Sequence, residues 1–413
     1  MAILDAASPV TPEQLARWRA DTPGCLERNH LNNAGSSLTT NAVLEAVQSH
    51  LQLEAVRGGY EAEEMAADGI RDAYRAVGAL VGSGPENIAI VENATVATAQ
   101  AMSAIELGKG DRVVTTNADY ISNQLMLLSL EQRARIELVR AADLPEGGVD
   151  PDSVRELLRD GRCRLVVISW IPTNFGLVQP VAEVARVCAE AGVPCLVDAT
   201  QAVGQLPIDV RAVPCTFLAA TARKFLRGPR GIGFLYVAPD ALAQGLLPLF
   251  PDMRGAHWTA PDRFEPAPDA RRFENWEFAW ALVLGFGAAA RYAAEAGIER
   301  TSHRARALAA SVRERAARIA GVRVLDRGAN LGAIVSLAFE RIAAVEVSRQ
   351  LRQRGINTGA SLREYAIIDM DAKHADQTLR VSPHYYNTED EIEELAVAIE
   401  EILAGVANRS VGR

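Results

Sequence analysis

Lysine is scarce in this sequence, and the apolar surroundings of one lysine favour a reactive amine. Of the 43 Lys and Arg residues, three are lysines: Lys109, Lys224 and Lys373. Lys224 comes shortly after the apolar run TFLAAT (216–221) and precedes an aromatic and an aliphatic residue. Apolar surroundings lower the pKa of a lysine and make its amine a nucleophile for Schiff-base chemistry. Lys109 lies in a turn sequence and Lys373 in a polar stretch, so we expect both to be solvated.

A carboxylate and an amide follow another apolar run. Asp198 lies near the end of PCLVDA (194–199), and Gln201 comes three residues after it. A buried carboxylate at the end of a strand is costly to ionise unless a cation meets it, and a pyridinium nitrogen is such a cation. A helix-capping aspartate is the alternative interpretation.

The segment Asn93–Thr95 begins a predicted helix directly after the run IAIVE (88–92). Unpaired backbone N–H groups and the positive end of the helix dipole suit a phosphate there. An ordinary helix cap is again the alternative. Thr221 and Arg223, which closely precede Lys224, could add phosphate contacts.

The elements that must position these residues are short apolar runs that alternate with helical patterns. Near-continuous Val, Ile and Leu runs predict strands covered on both faces, in a mostly parallel sheet of the α/β class. Ligands of such sheets lie beyond the carboxyl ends of the strands, where the candidate residues fall. The predicted strands are 88–92, 111–116, 136–140, 164–169, 194–199, 216–221 and 231–237.

The remaining sequence predicts a second, smaller domain. We assign residues 1–30 to an N-terminal segment that contributes to this small domain, residues 31–275 to a large cofactor-binding domain, and residues 276–413 to the small C-terminal α+β domain. A polar, Pro- and Arg-rich stretch follows Pro251, and the last predicted helix opens with Thr388 as its N-cap.

Composition excludes several classes of protein. The chain is 49% hydrophobic and 23% charged, with a net charge of −9, so a general binder of nucleic-acid phosphates is not expected. Its five cysteines include no C-x-x-C pair, which favours buried, inert thiols over a disulfide framework or a metal site. The N-terminus lacks the pattern of a secretory signal, and no apolar stretch is long enough to span a bilayer. We therefore expect a cytoplasmic protein without a nucleic-acid or membrane partner.

The order of these motifs resembles the class V aminotransferase branch of the fold type I pyridoxal-phosphate enzymes. That branch includes cysteine desulfurases, isopenicillin N epimerase-like proteins and the ergothioneine-pathway C–S lyase. The resemblance starts at HLNNAG (30–35) and ends at RVSPHYYNT (380–388), and so covers nearly the whole chain. It implies bound pyridoxal 5′-phosphate, an amino-acid substrate and a homodimer.

The resemblance also implies a role for each matching residue. Lys224 carries the cofactor and moves the Cα proton, Asp198 keeps the pyridine nitrogen protonated, and Tyr120 stacks on the ring where many relatives carry His. Gln201 bonds the phenolic oxygen of the ring, and Arg380 grips the substrate carboxylate, with a surface arginine bridging to the acidic C-terminal helix as the alternative. The other implied cofactor contacts are Ala94, Thr95, Thr173, Thr221 and Arg223, and the other implied substrate contacts are Asn33, Ala34 and Tyr60.

The sequence departs from the family pattern at several of these positions. Arg223 replaces the common His before the lysine, and Thr173 replaces an Asn. The Gly-Thr pair that often reaches the partner subunit's phosphate appears as RFENWE (272–277), which puts that contact in doubt. No cysteine follows Cys215, and the segment GASLRE (359–364) lacks the loop cysteine with which cysteine desulfurases accept sulfur. Desulfurase activity by that route is not expected.

Several reactions remain open for such an enzyme. We favour β-elimination that cleaves the C–S bond of a cysteine S-conjugate, because Tyr120 and the pair Arg223-Lys224 resemble the ergothioneine-type branch. Transamination, epimerisation and a decarboxylating or oxidative-deaminating reaction of specialised metabolism are the alternatives on the same fold. A pyridoxal-phosphate-binding regulatory module is disfavoured, because the chain is acidic and carries no DNA-binding segment.

Overall fold

The computed structural model describes residues 10–411, and side chains for residues 10–406. The expectation that no secretory signal is present concerns a segment that lies mostly outside the described residues. The strands, in chain order, are β1 (Asn29–His30), β2 (Ile88–Val91), β3 (Arg112–Thr115), β4 (Glu137–Arg140), β5 (Cys163–Ser169), β6 (Cys195–Asp198), β7 (Phe217–Thr221), β8 (Gly233–Val237), β9 (Ala256–Ala260), β10 (Arg263–Pro266), β11 (Val322–Val324), β12 (Val335–Phe339), β13 (Ile356–Asn357), β14 (Gly359–Leu362) and β15 (Gln377–Val381).

The helices pack around these strands, and their ends follow local sequence signals. Helix α7 begins where Asp150 caps it and Pro151 takes the first position, and α8 ends at Gly192 in the left-handed conformation (φ 66°). The helices are α1 (Pro12–Ala20), α2 (Asn41–Arg57), α3 (Gly59–Met65), α4 (Ala67–Leu80), α5 (Ala94–Ser103), α6 (Ile121–Ala134), α7 (Pro151–Leu158), α8 (Val181–Ala191), α9 (Pro239–Ala243), α10 (Trp280–Ala296), α11 (Ile298–Ala317), α12 (Ala344–Gln353), α13 (Ile367–Ala372) and α14 (Glu389–Val411).

Seven strands of the described chain form one large sheet in the order β2-β8-β7-β6-β5-β3-β4. β8 runs antiparallel to both of its neighbours, and the other pairings are parallel. Each predicted strand of this region lies within a residue or two of an observed strand. The predicted α/β class with a mostly parallel central sheet is confirmed.

Both faces of the large sheet are buried, which explains the continuous apolar runs. In β5, Leu165 and Val167 face the core beneath α5 and α6, whereas Val166 and Ile168 face the core that includes residues of α4, α8 and α10. In register, Ser169 pairs with Asp198, so the ends of β5 and β6 lie side by side. The carboxyl ends of these strands thereby form one edge on which candidate residues meet.

A second sheet of the described chain, in the order β11-β12-β15-β14, is antiparallel. The N-terminal segment joins this part of the molecule, because β1 pairs with β13 and Arg19 forms an ion pair with Glu391. Thr388 accepts a hydrogen bond from the Glu391 N–H (3.1 Å), which confirms it as the cap of α14. The predicted domain boundary at residue 276 stays a prediction; α10, which lies beyond that boundary, packs against α2 and α4.

Two features differ from expectation. The polar stretch after Pro251 contains an antiparallel hairpin, β9–β10, which the sequence pattern did not predict. Lys373 was expected to be solvated and is not: its side chain is buried, its ammonium bonds to Asp369 (2.7 Å), and it lies over the Phe175 ring. Lys109 is exposed, as predicted.

Within residues 10–411 no helix is both long and apolar enough to cross a bilayer. The described residues also contain no cluster of His, Cys, Asp and Glu that would hold a metal ion.

Candidate active site

Lys224 lies in the turn that follows β7, and its side chain is only 6% exposed. Burial, together with the charges of Arg223 and Arg380, lowers the pKa of Lys224 to about 7, although Asp198 opposes the shift. The Lys224 Nζ atom lies 5.8 Å from the centroid of the Tyr120 ring. The structure therefore brings the predicted nucleophile and the predicted stacking residue together.

Asp198 ends β6 and is buried. Its Oδ1 atom accepts a hydrogen bond from the Thr200 N–H (2.9 Å), and its Oδ2 atom accepts one from Asn123 Nδ2 (3.1 Å). The segment after β6 is a series of turns rather than an α-helix, so Asp198 is not a helix cap. Its carboxylate is held in a fixed orientation by a turn on one side and an amide on the other.

Asn123 is a site residue that the sequence analysis missed. It lies in the first turn of α6, three residues after Tyr120, and donates to both Asp198 (3.1 Å) and Asp119 (3.1 Å). Burial and the neighbouring Asp198 raise the pKa of Asp119, which also accepts hydrogen bonds from Ser169 and the Tyr120 N–H. The signal was available, because an amide one helical turn after a strand-end aromatic faces the same edge of the sheet.

Thr173 connects two predicted site residues. Its Oγ1 atom accepts hydrogen bonds from Gln201 Nε2 (2.7 Å) and Arg380 Nη1 (3.3 Å), and its carbonyl oxygen accepts from Arg380 Nη1 (2.8 Å). Gln201 Nε2 also donates to the Ala34 carbonyl (3.0 Å), which uses both of its hydrogens. The predicted bond from Gln201 to a phenolic oxygen requires that one of these hydrogen bonds be exchanged.

Arg380 projects from β15 into the site rather than toward α14. Its Nη2 atom donates to Asn32 Oδ1 (3.2 Å), and no carboxylate of the described chain pairs with it. Burial, together with Arg223, lowers the pKa of Arg380 to about 10. The residue opposite it in the sheet is Gly359, where a Cβ atom would lie 3.3 Å from Nη2. The alternative of a surface bridge to the C-terminal helix is wrong.

The predicted phosphate site lies at the start of α5. Asn93 caps the helix by accepting from the Val96 N–H (3.0 Å), which leaves the N–H groups of Ala94 and Thr95 without backbone partners. The start of α5 is close to the end of β7. Gly233 of β8 pairs with Thr221 of β7, and a Cβ atom added at Gly233 would lie 3.2 Å from the Asn93 backbone.

Two of the side chains predicted to help at the phosphate are engaged elsewhere. The Thr221 hydroxyl donates to the Ile232 carbonyl (3.2 Å), so it must rotate to reach an anion. Arg223 Nη1 donates to the Gly35 carbonyl. The structure thus places Arg223 against the N-terminal segment of the site.

The predicted substrate contacts Asn33 and Ala34 form hydrogen bonds within the chain. Asn33 is fully buried, and its amide bonds to the His30 and Ser382 carbonyls and to the Tyr386 hydroxyl, so it joins chain segments instead of facing a ligand. The backbone groups of Ala34 bond to Ser382 and Gln201.

Tyr60 lies apart from the other site residues. It is 74% exposed on α3 and lines a surface cavity with residues such as Arg254, Trp276 and Phe278. Asn32, one residue before the predicted Asn33, is the side chain that contacts Arg380.

Residues 272–277 replace the family's Gly-Thr pair, and two of their side chains form hydrogen bonds within this chain. Arg272 donates to backbone carbonyls of Leu242, Leu246 and Ala267. Glu274 is buried and accepts from the Tyr74 hydroxyl (2.7 Å), the Ile90 N–H (2.7 Å) and Arg254 (2.7 Å). Neither side chain is available for a phosphate in its described position.

The residues of the site fit pyridoxal phosphate. Gln201 Oε1, Thr200 Oγ1 and Arg380 Nε are buried without a hydrogen-bond partner in the described chain, so the site contains polar atoms that a bound ligand can satisfy. Lys224 supplies an amine for the aldehyde, Asp198 a carboxylate for the pyridine nitrogen, and the start of α5 unpaired N–H groups for the phosphate.

Comparison with known proteins defines the class. The family model described as Aminotransferase class-V matches residues 29–395, and the chain belongs to this family of pyridoxal-phosphate enzymes. The resemblance stated from the sequence is confirmed, as is the cofactor.

Relatives of known sequence match along nearly their whole length. A "Probable cysteine desulfurase" of Methanothermobacter thermautotrophicus is 28% identical, with 93% of this chain and 97% of that protein covered. A "Probable hercynylcysteine sulfoxide lyase" of Mycobacterium tuberculosis is also 28% identical, with 95% of each covered.

Solved structures share the fold. The cysteine desulfurase CsdA of Escherichia coli superposes with a TM-score of 0.87 at 22% identity, covering 95% of this chain and 99% of that one. The cystine C-S lyase C-DES superposes with a TM-score of 0.80 at 22% identity, covering 92% and 99%.

Proposed function

We propose that this enzyme cleaves the C–S bond of a cysteine S-conjugate by β-elimination, which releases a thiol and 2-aminoacrylate, and that water hydrolyses the 2-aminoacrylate to pyruvate and ammonia. The observation that carries the proposal is the position of the thiols: all five cysteines are buried, and none follows Cys215. Burial raises the pKa of Cys25 and Cys163 to about 11 and that of Cys215 to about 12, which keeps these thiols protonated and unreactive. The site thus holds a base beside Arg380 but no thiol that accepts sulfur.

The relatives support the same chemistry. The names of the Mycobacterium tuberculosis and Methanothermobacter thermautotrophicus proteins both describe removal of sulfur from a cysteine-type compound. Since this chain lacks an exposed cysteine to take up sulfur, elimination of a thiol is the reaction that its own residues favour over desulfuration.

Pyridoxal phosphate, when bound, supplies an electron sink for the pair of electrons left by the Cα proton. Asp198 maintains that capacity by holding a proton on the pyridine nitrogen. Asn123 and the Thr200 N–H orient the Asp198 carboxylate and leave its charge directed into the site. Their role is to position a charge that is costly to bury without them.

Lys224 serves as the base at Cα. An amine whose pKa lies near 7 is about half uncharged at neutral pH, and the uncharged form can take up a proton, whereas an ordinary lysine with a pKa above 10 is almost fully protonated. Arg223 and Arg380 contribute to that shift by placing positive charge beside the amine. The Lys224 Nζ atom therefore takes up the Cα proton while the sulfur leaves with the electrons of the C–S bond.

Arg380 holds the substrate by its α-carboxylate. Thr173 and Asn32 bind two of its nitrogens and orient the guanidinium, and the unpaired Nε atom completes a fork that a carboxylate can bridge. Gly359 leaves room beside it. This grip fixes the direction in which the Cα proton faces Lys224.

The experiment that tests the proposal is product analysis with a cysteine S-conjugate such as S-ethylcysteine. Elimination gives equal amounts of ethanethiol and pyruvate. A sulfur-containing keto acid would indicate transamination, loss of optical activity would indicate epimerisation, and carbon dioxide would indicate decarboxylation; each would refute the lyase.

We further propose that the enzyme is a homodimer in the cytoplasm. Large apolar side chains are exposed around the β9–β10 hairpin and the α3 surface, which is typical of an interface; they are Tyr60, Met65, Phe250, Trp258, Phe264 and Trp276. The five free, buried cysteines support a reducing compartment. Sedimentation that yields a stable and active monomer would refute the dimer.

A further inference from the structure

A second buried carboxylate is joined to Asp198 by a single amide. Asp119, in the loop between β3 and α6, is 6% exposed. Asn123 Nδ2 donates to Asp119 Oδ1 (3.1 Å) and to Asp198 Oδ2 (3.1 Å). An amide nitrogen has two hydrogens, so these two contacts use both of them. The orientation of the Asn123 amide therefore depends on both carboxylates.

The large sheet provides another connection between the two carboxylates. Ser169 pairs with Asp198 in the register of β5 and β6, and the Ser169 hydroxyl donates to Asp119 Oδ1. The same oxygen accepts from the Tyr120 N–H (2.7 Å). Asp119 is thereby bonded to the stacking residue, to the amide that holds Asp198 and to the strand beside Asp198.

The contacts of Asp119 are those of an anion. The Tyr120 N–H and Gln124 Nε2 (3.4 Å) can only donate to it. The Ser169 hydroxyl accepts from the Tyr120 N–H (3.3 Å), which leaves its own hydrogen for the carboxylate. The Thr115 hydroxyl likewise accepts from Gln124 Nε2 (3.0 Å) and donates to Asp119 Oδ2 (3.0 Å). A carboxylic acid needs an acceptor for its proton, whereas these groups are all placed as donors.

The negative charge of Asp119 is costly where it lies. Burial and the charge of Asp198 raise the pKa of Asp119. No lysine, arginine or histidine among residues 10–406 forms an ion pair with it, and Arg140 reaches only its neighbour Gln124 (2.8 Å). Neutral donors offset part of the cost of burial. A positive charge beside Asp198 would offset more of it, because the two carboxylates share one amide.

We propose that Asp119 is a positioning residue for the cofactor. Through Asn123 it directs the Asp198 carboxylate toward the pyridine nitrogen, and its charge adds to that of Asp198 in keeping this nitrogen protonated. The proposal rests on the role proposed for Asp198. It does not rest on C–S cleavage, because other reactions at Cα of an amino acid draw on the same protonated ring.

The test follows the ring nitrogen itself, in holoenzyme that contains cofactor labelled with ¹⁵N at the pyridine position. The nitrogen signal of the wild type should be that of a pyridinium. D119N should keep the cofactor and move the signal toward that of a neutral pyridine, and D198N should move it further. N123A, which cuts the connection and leaves both carboxylates, should move the signal in the same direction as D119N.

A matched control removes the charge of another buried carboxylate. The Asp326 side chain is 1% exposed and pairs with Arg313 (2.7 Å). D326N should lower stability and leave the nitrogen signal of the wild type in place.

Kinetics distinguish positioning from a merely structural role. D119N should lower kcat by about 10- to 100-fold, the range typical when a group that orients a functional side chain is lost. KM should change by less than about twofold, because the substrate contact at Arg380 is intact. In the D198N background, D119N should lower kcat by less than about twofold, since it acts through Asp198. A structural residue would reduce kcat equally in both backgrounds.

Several results would overturn the proposal. One is a nitrogen signal that stays in place in D119N or in N123A, and another is an equal shift in D326N. A third is an undiminished effect of D119N on kcat in the D198N background. If D119N does not fold, N123A makes the same comparisons. A signal that D198N leaves in place would refute the role of Asp198 together with that of Asp119, whereas a failure to release pyruvate would refute the lyase alone.

Discussion

Two partly buried arginine clusters of this protein differ in the partners that surround them. In the first, Arg254 pairs with Glu274 (2.7 Å), Glu274 accepts from Tyr74 (2.7 Å), and the guanidinium lies over the Phe278 and Trp280 rings. In the second, Arg223 and Arg380 have neutral oxygen partners and no carboxylate in the described chain.

We infer from this difference that the first cluster maintains the fold and that the second belongs to a ligand site. Every charge of the first cluster has a protein partner, so its contribution is to stability. The second cluster leaves a nitrogen of Arg380 unpaired and lowers the pKa of Lys224 next to it. A buried amine with a lowered pKa beside two cations is an arrangement typical of functional sites.

The largest effect is expected at Asp198. Asp198→Asn removes the charge that keeps the pyridine nitrogen protonated, so turnover should fall by orders of magnitude while cofactor remains bound. Steady-state kinetics together with the visible spectrum measure both quantities. Near-normal turnover would show that Asp198 serves only the turn that it closes with Thr200.

Arg380→Lys should reduce the efficiency for α-amino acids severely, because an ammonium cannot form the planar two-bond contact of a guanidinium. The loss of a charged hydrogen-bonding partner costs about 2–5 kcal/mol, or roughly 30- to 5,000-fold in kcat/KM. The visible spectrum of the resting enzyme should not change. Loss of cofactor, or full activity, would remove the carboxylate role from Arg380.

Glu274→Ala tests the opposite cluster. It leaves Arg254 buried without its counter-ion and should lower the free energy of unfolding by about 3–5 kcal/mol, measured by denaturant titration. Arg380→Ala is the matched control and should change stability by less than about 1 kcal/mol, because it removes a charge that has no acidic partner. If the two variants lose equal stability, the two clusters do not differ in the way described.

The fold was largely predictable, because the strands of a sheet covered on both faces are continuous apolar runs. The run 164–169 corresponds to Cys163–Ser169, and 216–221 to Phe217–Thr221. The β9–β10 hairpin was not predictable by that rule, since its residues are mostly exposed and do not alternate between apolar and polar.

The site was predictable where residues follow strands and less so where distant segments meet. Lys224 and Asp198 follow their strands directly. Lys373 was missed as a buried residue because Phe175 reaches it from another part of the chain, although the i,i+4 spacing to Asp369 was a usable signal. Asn32 and Asn33 are adjacent, and only the contacts with Arg380 and Ser382 decide which one faces the site.

A smaller effect is expected from pH. Below its pKa of about 7, Lys224 is protonated and cannot react with an aldehyde, so the rate of cofactor capture by the apoprotein should rise about tenfold between pH 6 and pH 8 and then level off. Because Arg223 helps to lower this pKa, R223Q should move the midpoint to higher pH, and R230Q should not. A midpoint near 10 in the wild type would contradict the burial of an isolated amine in this site.

The most direct test of the account is to identify the lysine that carries the cofactor. Borohydride reduction of the holoenzyme, digestion and mass spectrometry should place the pyridoxyl group on the peptide that contains Lys224, and Lys224→Ala should lack the label. Lys373 is the informative competitor, because it is also buried, but its ammonium is neutralised by Asp369. A label on Lys373 or Lys109 would contradict the active site described here.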